Sequence, residues 1–126
     1  MRARFGIIAA LALATSALQA QAGDPMTQAE LAELTSGGVT ILLGGPGEGY
    51  SGTLVLAADG TGAGTAKTDS GTELTLTGTW EVRDGKFCRS WQEFDDGAEV
   101  CETWILTGEN SADVFNGDQK IGVNSW

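Results

Sequence analysis

Between Thr72 and Arg83 the chain alternates without a break. Leu74, Leu76, Gly78, Trp80 and Val82 are apolar or small, and Glu73, Thr75, Thr77, Thr79, Glu81 and Arg83 are polar. Successive side chains of an extended segment point to opposite faces, so this pattern fits a strand with one dry side and one wet side. A helix would scatter the same residues around its circumference. Ser70-Gly71 opens the run and Asp84-Gly85 closes it, both turn-forming pairs. A strand of this length with a dry face needs other elements to cover it. The chain supplies short apolar runs separated by Asp59-Gly60, Asp84-Gly85, Asp96-Gly97 and Asn116-Gly117. Gly reaches positive φ freely and Asp or Asn tolerates it, so these pairs suit tight hairpins. The 19 glycines fall mostly in such clusters, which predicts many turns rather than disorder.

The expectation is a mainly β domain. It is an antiparallel meander of about eight short strands, built as a small barrel or a sandwich, with one short N-terminal helix. The helix signal is Thr27 with Glu30 three residues on, a capping box, flanked by Met26 and Leu31 as a hydrophobic staple. Leu31 and Leu34 share a face, and Gly37-Gly38 supplies the stop. So short a helix is marginal alone, so it is expected to dock on its leucines and plug one end of the sheet structure. Strands are expected over 39–43, 50–57, 62–68, 72–83, 86–94, 99–107, 112–116 and 120–123. The Gly- and Ala-rich third is read as an edge strand or one bent by its glycines.

The first 22 residues read as a secretory signal peptide. Arg2 and Arg4 precede an apolar run from Phe5 to Ala14, and Ala20-Gln21-Ala22 is a small-x-small cleavage site. The run is about 10 residues, half of the ~20 that span a bilayer, so no transmembrane segment is expected after cleavage. Residues 23–126 then form a single β domain, periplasmic or secreted. Cleavage removes two arginines and no acid, so a formal charge of −10 becomes −12. Nucleic-acid binding needs a basic footprint, and this chain has none. A basic partner or a cation remains compatible with that charge.

Cys88 and Cys101 are the only cysteines. In an oxidising compartment two cysteines have one way to pair. The Asp95-Asp96-Gly97 turn lies midway between them, so they face each other across neighbouring strands, a geometry open to a disulfide. Closing such a loop of roughly 14 residues stabilises by about 3 kcal/mol in the chain-entropy account. By alternation Phe87, Trp91, Val100, Trp104 and Leu106 share the opposite face, which is the expected core, with the bridge towards the outside.

Trp80, Trp91 and Trp104 all fall on dry faces. They are core by the plain reading, and candidate lining for an apolar or sugar ligand if the barrel interior is open. No histidine is present, which removes the usual general base, the Ser-His-Asp triad and the common zinc sites. Glu73 and Glu81 lie eight residues apart on one strand, ~27 Å at ~3.4 Å per residue, too far for a glycosidase pair. No catalytic residue, metal ligand or cofactor is assigned. Asp95, Asp96 and Glu99 gather at one turn, with Glu93 and Glu102 flanking it, and are read as a solvated hairpin tip rather than a Ca²⁺ loop, whose twelve-residue spacing they lack. Gly47 to Gly52 matches Gly-x-Gly-x-x-Gly, but a strand pattern follows it where the dinucleotide motif needs a helix. The terminal Trp126 suggests an outer-membrane barrel, but such strands need ~9–11 residues, most of the expected ones are shorter, and Ile121 and Val123 lie out of phase with Trp126.

Three stretches together carry a family likeness. The first is Thr27, Glu30 and Leu31, and the second is Asp59-Gly60-Thr61. The third runs from Gly78 through Trp80-Glu81-Val82-Arg83-Asp84-Gly85 to Cys88, with Cys101 following a strand later. The chain resembles small secreted proteobacterial proteins of unknown function with lipocalin-like, small β-barrel character. The resemblance implies a barrel and no agreed activity. The expected role is a non-catalytic envelope or binding module for a small ligand or a protein. The alternative is an inhibitor of a secreted enzyme. An open interior would favour the ligand, and a filled core with a protruding loop such as 44–49 would favour the inhibitor.

Overall fold

The computed structural model describes residues 21–126. All but the last two residues of the expected leader therefore lie outside the described residues. The rest is one helix and eight strands: α1 (Gln28–Thr35), β1 (Val39–Gly44), β2 (Tyr50–Leu56), β3 (Thr61–Thr68), β4 (Glu73–Arg83), β5 (Lys86–Trp91), β6 (Val100–Gly108), β7 (Ser111–Asn116) and β8 (Gln119–Ser125). Each strand pairs antiparallel with the next, and β8 returns to β1, closing a barrel. Closure decides between the barrel and the sandwich that alternation alone left open.

The alternation of β4 survives in full. Glu73, Thr75, Thr77, Thr79 and Glu81 are exposed on the outer wall, while Leu74, Leu76, Gly78, Trp80 and Val82 face inward. The inward residues are only half-buried, and Leu74 and Leu76 among them face empty space in the interior. Asp84-Gly85 makes the two-residue β4–β5 turn with positive φ at both positions, 53° and 74°. That combination is the hairpin geometry that matches strand twist. The expected fifth strand ends early, at Trp91 rather than Phe94. The Phe94 N–H donates to the Trp91 carbonyl at 3.2 Å and turns the chain there, and Asp95 and Asp96, in left-handed backbone at φ 55° and 53°, carry the turn on. A 3-10 turn (Asp95–Gly97) follows.

Two ladders are short. β5 and β6 pair through Phe87–Glu102, Cys88–Cys101 and Arg89–Val100. β6 then runs on past the end of β5, and the N-terminal segment fills the vacated edge. Gly23 donates to the Leu106 carbonyl at 2.6 Å, Met26 to that of Trp104 at 2.8 Å, and Leu106 to that of Asp24 at 2.9 Å. The Cys88–Cys101 disulfide braces the same hairpin. It sits on the outer side of the wall by parity, yet Cys88 is buried. Arg83 covers this patch, 3.5 Å from Cys101 Sγ and paired with Glu81 and Glu99. The other short ladder joins β1 to β8 through Leu42–Ser125 and Leu43–Asn124. Beyond it, the Tyr50 hydroxyl accepts from the Val123 amide at 3.1 Å and extends the seam.

The meander places its connections alternately at two ends. At one end lie α1, the β4–β5 turn and Trp126. The Thr27–Glu30 capping box forms as expected, and Gln28 locks the helix down, accepting from Gly85 N at 2.8 Å and donating to the Val82 carbonyl at 3.3 Å. Leu31 is fully buried in the cluster that holds Met26, Ile41, Leu56, Phe87, Trp104 and Leu106. That end is plugged. The other end, ringed by the β1–β2, β3–β4, β5–β6 and β7–β8 connections, is open.

Candidate functional site

The open end leads into a cavity of about 500 Å³ inside the barrel. An eight-stranded barrel is near the size at which side chains just fill the interior or leave room for one small ligand. Here the walls are apolar, with Leu43, Leu54, Leu74, Leu76, Phe87 and Val114 among them. At ~30 Å³ per water, the space matches roughly seventeen waters.

Glycines make part of this shape. Trp91 lies across Gly62 and Gly78, where an added Cβ would meet its ring at 2.8 Å and 3.1 Å. Tyr50 lies likewise over Gly122, and a β-bulge between Gly122 and Lys120 leaves Ile121 without a ladder partner at the mouth. Of the three tryptophans singled out from sequence, Trp91 lines the cavity. Trp104 lies in the plugged end between Phe87 and Trp126, ring centres 5.0 Å and 6.1 Å away. Trp80 stacks on Phe87 at 5.7 Å and donates its Nε1–H to the Thr61 carbonyl.

The polar centre of the cavity is an ion pair that the sequence reading did not assign. Arg89 Nε donates to Glu102 Oε2 at 2.9 Å, with both side chains 9% exposed. Trp104 Nε1 donates to the other oxygen, Glu102 Oε1, at 3.0 Å. At the mouth, Arg89 Nη1 reaches Asp95 Oδ2 at 3.4 Å. Burial pushes the Glu102 carboxyl up from its ordinary value, and the charge of Arg89 and the two donated hydrogen bonds only partly oppose this. Glu102 therefore belongs to the interior and not to the hairpin tip with Asp95, Asp96 and Glu99. The remaining carboxylates do not converge either. Glu93 accepts from Thr77 N at 2.7 Å, and Glu99 pairs with Arg83 on the outer wall, which holds its carboxyl below the ordinary value. Among the described residues, Cys88, Glu99 and Cys101 are grouped as metal ligands would be, but the two sulfurs are bonded to each other.

Arg89 and Glu102 were discoverable in principle. They occupy the same-parity positions as Phe87 and Trp91, and as Trp104 and Leu106, so each is a charge on a dry face. Asn124, buried and lining the cavity from β8, carried no such signal, because its strand is irregular.

The fold and the cavity define a closed eight-stranded β-barrel, plugged at one end and open at the other. No protein-family model matches the chain, and no curated protein or solved structure matches it. Among the described residues no helix is long and apolar enough to cross a membrane. The Cys88–Cys101 bridge is consistent with an oxidising compartment.

Proposed function

We propose that the protein is a non-catalytic binding module that takes one small, largely apolar molecule into the barrel, in the periplasm or outside the cell. The observation that carries this reading is the 500 Å³ apolar cavity with a single open end. A concave apolar site with a few convergent polar groups is the usual form of a ligand pocket. The leader-like N-terminus, the acidic charge and the bridge support export, and the resemblance to small secreted barrel proteins agrees with it. With no histidine in the chain and no free cysteine, acid–base chemistry in this cavity would fall first to a carboxylate. Glu102 has one oxygen engaged by Trp104 and the other by Arg89. The inhibitor reading keeps its claim on size and export, but an open interior favours cargo.

The test is titration with N-phenyl-1-naphthylamine, a neutral dye that fluoresces in apolar surroundings. Saturable one-to-one enhancement is expected, lost in a Leu74→Trp variant that fills the cavity while leaving the circular dichroism spectrum unchanged. Enhancement that never saturates, or that survives Leu74→Trp, overturns the reading.

A further inference from the structure

We propose that the cavity's ligand is a protonated organic amine with an apolar body, its charge held at the mouth and its body inside. This rests on the binding reading above. The first observation is the rim. The four connections at the open end carry Glu48, Asp69, Glu93, Asp95, Asp96 and Asp118 and not one Lys or Arg, even leaving aside Glu99, which Arg83 neutralises. The connections between strands at the plugged end carry only Asp59, Asp84 and Glu109. Lys67 and Lys120 stand just inside the flanking strand ends, but each is paired with a carboxylate of its own wall, Glu73 and Asp113, so the opening stays net negative. Such a rim around a low-dielectric opening focuses the field, gathers cations and turns anions away.

The second observation lies inside. Arg89 is already matched by Glu102, so the depth of the cavity has no net charge to repel an ammonium. Asp95 shares Arg89 with Glu102, so the three together carry one net negative charge, and Asp95 lines the cavity with its side chain 55% exposed. Tyr50, Trp91 and Phe94 line the same space, and aromatic rings attract cations. The third observation is Asn124. It is 7% exposed and faces the cavity, and no hydrogen bond among the described residues reaches its amide. Its amide oxygen can accept an ammonium N–H and anchor a polar head inside the cavity, while the sign of the charge is chosen by the rim and Asp95.

Three probes with the same ten-carbon chain separate the outcomes: decylammonium, 1-decanol and decanoate, each measured by calorimetry on the disulfide-bonded protein. At ~10 mM salt, decylammonium is expected to bind about tenfold more tightly than 1-decanol and roughly a hundredfold more tightly than decanoate, the spread shrinking at ~1 M salt as the Debye length falls from ~30 to ~3 Å. A rim variant, Glu48→Gln with Asp69→Asn, Asp96→Asn and Asp118→Asn, leaves the cavity lining untouched. It should lose most of the preference and keep its affinity for 1-decanol. If decanoate binds as well as decylammonium, or the rim variant keeps the full preference, the amine inference fails and the binding reading stands. If none of the three binds, the binding reading itself fails.

Discussion

Arg89 and Glu102 leave water together, and desolvating two charges costs more than one contact recovers unless every remaining lone pair and proton finds a partner. Here Glu102 has a donor on each oxygen, and Arg89 has a second carboxylate in Asp95. Removing one member strands the other. Arg89→Met is expected to destabilise by about 3–5 kcal/mol in urea unfolding, while the double change Arg89→Met, Glu102→Leu should recover most of that loss. A cost below about 1 kcal/mol for the single change would mean that the pair is solvated. The pH dependence has a definite sign. The folded carboxyl of Glu102 is raised, so the folded state holds its proton more tightly than the unfolded one. Its contribution is full below the unfolded pKa and is lost as pH rises through the folded pKa. Glu102→Gln should flatten that decline on the high side of the ordinary carboxylate range, measured as stability against pH. Glu99 titrates the other way: its depressed value means its contact with Arg83 is lost as pH falls. At this scale the sequence was legible in type but not in pairing. The parity of residues 89 and 102 put charge on a dry face, while their meeting inside depends on the register of two strands.

The wall formed by β3, β4 and β5 works because glycines stand opposite a tryptophan. Gly62, Gly78 and Trp91 follow one another across the three strands, and the indole lies where side chains at 62 and 78 would be. A Cβ at Gly78 would stand 1.8 Å from the Ser90 carbonyl oxygen, so backbone must move. Replacing Gly by Ala within a strand normally stabilises by ~0.5–1 kcal/mol. Here Gly78→Ala is expected to cost about 1–3 kcal/mol, the range for overpacking, and to shift the Trp91 indole N–H resonance. A stabilised variant with that resonance unmoved would sink this account. Elements were the most legible scale. Period-two alternation and Asp-Gly turns specify β4 and its hairpin without help from packing. Boundaries were less so. Phe94 lies out of phase with Phe87 and Trp91, and the strand stops in a turn closed by the Phe94 N–H on the Trp91 carbonyl, ahead of two left-handed aspartates that nothing local announces as a pair.

Apolar packing is concentrated at one end of the barrel. α1, Met26, Ile41, Phe87 and Trp104 fill the plugged end, whereas Leu74 and Leu76 on the longest strand face the cavity. That the helix would plug one end was legible in the sequence, but the amount of empty space left at the other end was not. A leucine on a dry face looks the same whether it meets another side chain or a void, and strand tilt and shear decide which. The two situations differ in energy. Truncating a side chain in a filled core removes its transfer free energy and leaves a new cavity, ~2–5 kcal/mol for Leu→Ala. A side chain that already borders open space loses fewer contacts and creates no new void. Leu31→Ala should therefore cost about 2–5 kcal/mol, and Leu76→Ala under ~1.5 kcal/mol, well below the range for a filled core. Equal costs in chemical denaturation would show that the interior is packed in solution, and the binding site would go with it. The unequal result would locate stability at the helix end and leave the mouth free to be shaped by what it holds.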